Sequence, residues 1–118
     1  MKKIIKTKNA PSPVGPYNQA ILFNNTLYAS GQIAINPLNN QIINEDIEAE
    51  TKQVMENLNE VLKEAKMDFS NVVKCTIFLK DMNDFESVNK IYSNFFNEKD
   101  APARETVEFS MIPKNVNV

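Results

Sequence analysis

The sequence has no histidine, one cysteine, two glycines and one arginine in 118 residues. Without histidine, and with Cys75 as the only thiol, Ser-His and Cys-His nucleophile pairs and the usual zinc sites are excluded. One cysteine forms no intramolecular disulfide framework and fits a reducing compartment. Two glycines leave no Gly-rich phosphate loop. No apolar run approaches the ~20 residues of a membrane span. Met1 to Lys6 carries lysines but neither the apolar core nor the cleavage site of a secretory signal, so the cytoplasm is the expected location. A net charge of −2 and a pI near 5.2 argue against a nucleic-acid binder, which shows a basic patch to neutralise phosphates. Catalysis would have to rest on arginine, tyrosine, serine, threonine, asparagine, carboxylates, backbone amides and water.

Scarcity also marks positions. Average usage of ~7% would give roughly eight glycines, yet the turns here use asparagine, at Asn24-Asn25 and Asn39-Asn40. Asparagine tolerates the left-handed region. Gly15 and Gly31 are therefore expected where asparagine will not serve, through positive φ or close backbone approach. One lies near Tyr17 and the other beside Ser30, as the walls of a site would. Arg104 stands behind Pro102, while the other twelve basic residues are lysines. Two readings stay open: an ordinary surface or interface arginine, or a planar fork that grips a carboxylate with two parallel hydrogen bonds.

In chain order, Lys3 to Lys6 reads as a short edge strand. Three prolines between Ala10 and Tyr17 make an extended, rigid loop that either holds the phenol or simply packs. Gln19–Phe23 and Thr26–Ser30 flank Asn24-Asn25 as a hairpin. A first helix, capped by Asn44 or Asp46, has an apolar stripe of Ile47, Thr51, Val54, Leu58, Val61, Leu62 and Ala65. Glu45, Glu48 and Glu50 lie near its positive end. Residues 72–79 read as a central strand in which Cys75 is a small buried filler. An Asn83–Glu86 capping box opens a second helix with Phe85, Val88, Ile91, Tyr92, Phe95 and Phe96 on one face. Asn89 lies beside that face, turned to the sheet's end or solvated. The Arg104 strand and a last strand, Asn115–Val118, follow.

This order predicts one α+β domain over residues 1–118: two layers, with two helices on one face of a single six-stranded, mostly antiparallel or mixed sheet. The other sheet face would be bare, and self-association is the economical cover.

The segments Gly15-Pro16-Tyr17-Asn18-Gln19-Ala20, Ala29-Ser30-Gly31-Gln32-Ile33, Phe78-Leu79-Lys80-Asp81-Met82, Val88-Asn89, Pro102-Ala103-Arg104 and Ile112-Pro113-Lys114, among others spread over nearly the whole chain, closely resemble the Rid/YjgF family of reactive intermediate deaminases. The resemblance implies a chorismate-mutase-like fold and a homotrimer with clefts between subunits. It implies hydrolysis of 2-aminoacrylate/2-iminopropanoate and 2-iminobutanoate to 2-oxo acids and ammonia, protecting PLP enzymes, with no metal or organic cofactor. By resemblance Arg104 holds the substrate carboxylate and acts with Tyr17, while Ser30, Gly31, Asn89 and Thr106 line the cleft.

Three departures stand out. Asn18 replaces a serine, and Lys66 replaces the glycine that ends the first helix. The family's water-positioning glutamate would fall immediately after Val118, and a chain that stops in mid-alternation reads as a truncated strand. The alternative function is a non-catalytic trimer that binds small carboxylates or acts as a regulatory or chaperone-like partner. A ribonuclease or translation inhibitor fits poorly with the charge and the lack of histidine.

Overall fold

A computed structural model describes residues 1–118. The chain runs β1 (Lys3–Ile5), β2 (Ala20–Phe23), β3 (Thr26–Ala29), α1 (Ile47–Glu64), β4 (Lys74–Leu79), α2 (Phe85–Tyr92) and β5 (Ala103–Glu108). The α+β class stands, but there are five strands in two sheets instead of six in one. β1, β2 and β3 form an antiparallel meander. β4 and β5 pair in parallel, with Cys75 opposite Arg104 and Ile77 opposite Thr106. Parallel neighbours need a crossover, and α2 supplies it.

The sixth strand fails for a local reason. Lys114 and Asn115 both take positive φ, 60° and 54°, which interrupts an extended backbone. Beyond them, the amides of Asn117 and Val118 donate to the Glu50 carboxylate instead of to a strand. One bond to the end of β4 remains, from the Lys80 amide to the Asn117 carbonyl at 3.0 Å.

The asparagine turns form as read. Asn24 and Asn25 take φ of 50° and 64°, the double positive φ of a type I′ hairpin. Gly15 has φ of 132°, a value that favours glycine. Gly31 differs from expectation: its φ is not positive, and a Cβ there would meet nothing within 4 Å.

α1 ties the two sheets together. Near its C-terminal end, Val61 and Ala65 pack with Ile5, Ala10 and Ala20. Near its start, Ile47 and Val54 pack with Ile77, Leu79, Val88 and Val118. Asp46 caps it, accepting from the Ala49 amide at 2.7 Å. At the other end Lys66 takes the left-handed role itself, with φ of 59°, while the Met67 amide reaches the Leu62 carbonyl at 2.9 Å. A Cβ in that region costs ~1–2 kcal/mol, so Lys66→Gly is expected to raise stability by about 0.5–1 kcal/mol, net of glycine's greater unfolded-state entropy. A thermal melt should show it as an increase of a few degrees.

The capping box expected at α2 is not made. Asp81 instead accepts from the Asn83 amide at 2.9 Å, and Glu108 from the Met82 amide at 2.7 Å. On the outer face of the β4–β5 pair, Phe78 and Phe109 meet edge to face at 5.0 Å. They stay 45% and 47% exposed, so no element of the same chain covers them. No helix is long and apolar enough to cross a membrane.

Candidate functional site

The alternation of β5 turns Arg104 and Thr106 to the inner, half-buried side of the strand, where α2 lies. Residues four and three apart on a helix share a face, and Phe85, Asn89 and Tyr92 are such a set. The guanidinium of Arg104 lies on that face. Its Nη1 donates to Asn89 Oδ1 at 2.6 Å. Its Cζ is 4.8 Å from the Tyr92 ring centroid and 5.6 Å from that of Phe85. An arginine has five N–H donors, and only the bond to Asn89 uses one within the chain. The Nε–Nη2 edge makes no hydrogen bond within the chain.

Two polar atoms beside this group are buried without partners: Tyr92 Oη and Thr106 Oγ1. Burial, and then the nearby Cys75 thiol, push the Tyr92 phenol well above its ordinary range, against a smaller opposing pull from Arg104. Cys75 is close enough to act electrically, but not in hydrogen-bonding geometry. The phenol resists ionisation while folded, so its contribution to stability is complete below about pH 10, the unfolded value, and is lost as pH rises beyond it. Above pH 10 the wild type should therefore lose stability faster than Tyr92→Phe, by up to ~1.4 kcal/mol per pH unit; urea unfolding of both proteins at pH 8 and pH 11 measures it.

The other expected residues fall on the meander side. Gln19 is 2% exposed, and its side chain donates to the carbonyls of Thr7, Ala10 and Pro11 while accepting from the Thr7 amide. The Gln19 side-chain amide thereby pins down the start of the proline loop. Within the loop the Tyr17 hydroxyl accepts from the Val14 amide at 3.2 Å, and the ring stays half exposed. Ser30 Oγ donates to the Asn18 carbonyl at 2.7 Å, leaving its oxygen able to accept. Gly31 follows it, exposed. The structure thus brings Asn89, Arg104 and Thr106 together on the βαβ unit, and Tyr17, Ser30 and Gly31 at the meander. No hydrogen bond joins the two sets.

Gln19, Glu50 and Asn57 hold the fold in ways the sequence reading misses. Asn57, 1% exposed, donates to the Ile33 and Ile35 carbonyls and so holds the segment after Gly31 against α1. Its signal is its position three residues beyond Val54 and four before Val61, on the apolar stripe.

An open cavity of about 550 Å³ is lined by Met82, Asn83, Phe85, Glu86 and Thr106; Phe85 and Thr106 are neighbours of Arg104, which does not itself line it. A second, of about 340 Å³, lies between the proline loop and Ile35, Ile42 and Lys114, and contains none of the six residues. Both are open to solvent. No three carboxylates or thiols converge as metal ligands.

The fold and these contacts define a small α+β protein whose one arginine is held on an aromatic helix face. The family model described as Endoribonuclease L-PSP matches residues 7–118, and the chain belongs to that family, the YjgF/Rid family. A RutC family protein of Synechocystis is 54% identical over 117 residues, covering 98% of this chain and 90% of the relative. The human 2-iminobutanoate/2-iminopropanoate deaminase is 41% identical over 118 residues, all of this chain and 85% of that one. Among solved structures, a Rid-family protein of unknown function from Yersinia pestis superposes with a TM-score of 0.96 at 48% identity, covering 99% of this chain and 93% of that one. Escherichia coli TdcF with bound serine gives 0.91 at 33% identity, covering 98% and 91%.

Proposed function

We propose that this protein hydrolyses small 2-imino acids and their enamine tautomers to 2-oxo acids and ammonia, without a cofactor. The observation that carries this reading is the Arg104 guanidinium, fixed by Asn89 and Tyr92 with one edge free. That edge would take the substrate carboxylate in two parallel bonds. Anchoring a small, already labile imine would supply much of the rate gain through positioning. Asn89 spends its oxygen on Arg104, so its amide hydrogens are free to donate to substrate. The Thr106 hydroxyl, buried and unpartnered, would serve the same pocket.

Tyr17, Ser30 and Gly31 enter this reading through a neighbouring copy. Within one chain they belong to a different set from Arg104, as a cleft completed between subunits requires. Phe78 and Phe109, uncovered on the outer sheet face, offer apolar area for a homotrimer contact. The name of the human relative and the amino acid held by TdcF agree with a substrate of this size and charge.

The test generates 2-aminoacrylate with a serine or threonine dehydratase and follows imine decay. Added protein is expected to accelerate the decay and the release of ammonia. Carboxylate binding without acceleration would instead establish the non-catalytic reading.

A further inference from the structure

The Tyr92 hydroxyl is buried, and no group in the fold satisfies it. A leucine or phenylalanine could fill the same space without burying an unpaired hydroxyl. The contact this residue does make is through its ring, which lies under the guanidinium of Arg104 at 4.8 Å. Phe85, seven residues earlier and two helical turns away, presents a second ring to the same cation at 5.6 Å. Asn89 sits between them and accepts from Nη1. The order along the helix is ring, amide, ring, with the cation spanning all three.

We infer that Phe85 and Tyr92 are positioning residues, which hold the Arg104 guanidinium in one orientation before any ligand arrives. The two rings attract the cation through their negative faces, while the Asn89 oxygen fixes its rotation about the Nε–Cζ bond. Each ring acts through Arg104, and Phe85 also lines the cavity beside Thr106. A long side chain that is already ordered loses less freedom when its ligand binds, so the seat favours a rigid, planar carboxylate over a floppy or spherical anion. The proposal rests on the reading of Arg104 as a carboxylate anchor, but its first test does not.

Arg104 is the only arginine in the chain, so one side-chain Nε–H resonance appears in an ¹⁵N spectrum of the intact protein and needs no assignment. In the wild type the Nη protons are expected to be resolved, because rotation about the Nε–Cζ bond is slowed. Tyr92→Leu is expected to average and sharpen these signals, and to raise KM for the imine roughly 5- to 30-fold, with a smaller change in kcat. Tyr92→Phe keeps the ring and should restore both. Phe85→Leu, at a less buried position, gives a smaller change in the same direction and serves if Tyr92→Leu fails to fold. A wild-type guanidinium that is already averaged, or leucine variants that keep the wild-type signal and KM, would overturn the proposal. So would a loss that Tyr92→Phe fails to restore, since the hydroxyl and not the ring would then be responsible. A protein with an ordered guanidinium but no imine hydrolysis would leave the positioning intact and remove only the proposed activity.

Discussion

Arg104→Lys is expected to lower kcat/KM for imine hydrolysis by about 100-fold while the protein stays folded. Lysine keeps the positive charge, so a site that needed only charge would tolerate it. What it loses is geometric. The ammonium cannot present two parallel donors to a carboxylate, and charge-assisted hydrogen bonds contribute ~1.5–3 kcal/mol each, where every 1.36 kcal/mol is tenfold in rate. The shorter reach of a point charge would also leave the Asn89 oxygen and the Tyr92 ring without their present partner. Lost orientation should appear in kcat as well as KM, because a substrate held at one oxygen swings relative to the attacking water. Initial rates of ammonia release from dehydratase-generated imine measure the effect, with circular dichroism confirming the fold. A lysine variant within threefold of the wild type would remove the carboxylate-anchor reading.

Scarcity makes Arg104 legible: one arginine among thirteen basic residues stands out from composition alone. The hairpin is legible because Asn24-Asn25 has few other uses between two β-branched or apolar runs. The companions of Arg104 are harder to see. Phe85 and Tyr92 lie on the apolar face of α2, and such a stripe reads first as core. Tyr92 is indeed buried, so that reading is correct and incomplete, since the same ring faces a cation. Cys75, expected as a buried filler, is only half-buried, opposite Arg104. The sheet departs from expectation at the C-terminus because Asn115–Val118 alternates as a strand does, while the partner that captures its amides lies 67 residues earlier in the chain. Pattern within a segment cannot report a competing acceptor from elsewhere. Glu50 reads, with Glu45 and Glu48, as a charge at the helix N-terminus. It also lies three residues beyond Ile47 and four before Val54, on the stripe, and that position carries the missing information.

Glu50 is expected to be the most costly carboxylate to remove. Its side chain is 0% exposed, yet no lysine or arginine pairs with it. Three hydrogen bonds stabilise its charge instead: Asn117 N to Oε2 at 2.7 Å, Val118 N to Oε2 at 2.8 Å, and Asn117 Nδ2 to Oε1 at 2.9 Å. Its place in the first turns of α1 adds the favourable end of the helix dipole. Glu50→Ala leaves two backbone amides and a side-chain amide without acceptors, each a loss of ~1–3 kcal/mol when no water can reach it. Some water will enter the space, so a total of about 3–5 kcal/mol is expected, a large share of the ~5–15 kcal/mol that holds a typical domain together. Glu50→Gln separates the contributions. Its oxygen can still take both backbone amides, and Asn117 can turn its own side-chain amide to accept, so only ~1–2 kcal/mol should be lost. Urea unfolding midpoints rank the three proteins, and amide exchange at Val118 should quicken in Glu50→Ala before the rest of the fold responds. An alanine variant within about 1 kcal/mol of the wild type, the size of one ordinary hydrogen bond, would mean that residues 117–118 are held by Val118 packing against Leu79 and Val88, and that the carboxylate is incidental to the fold.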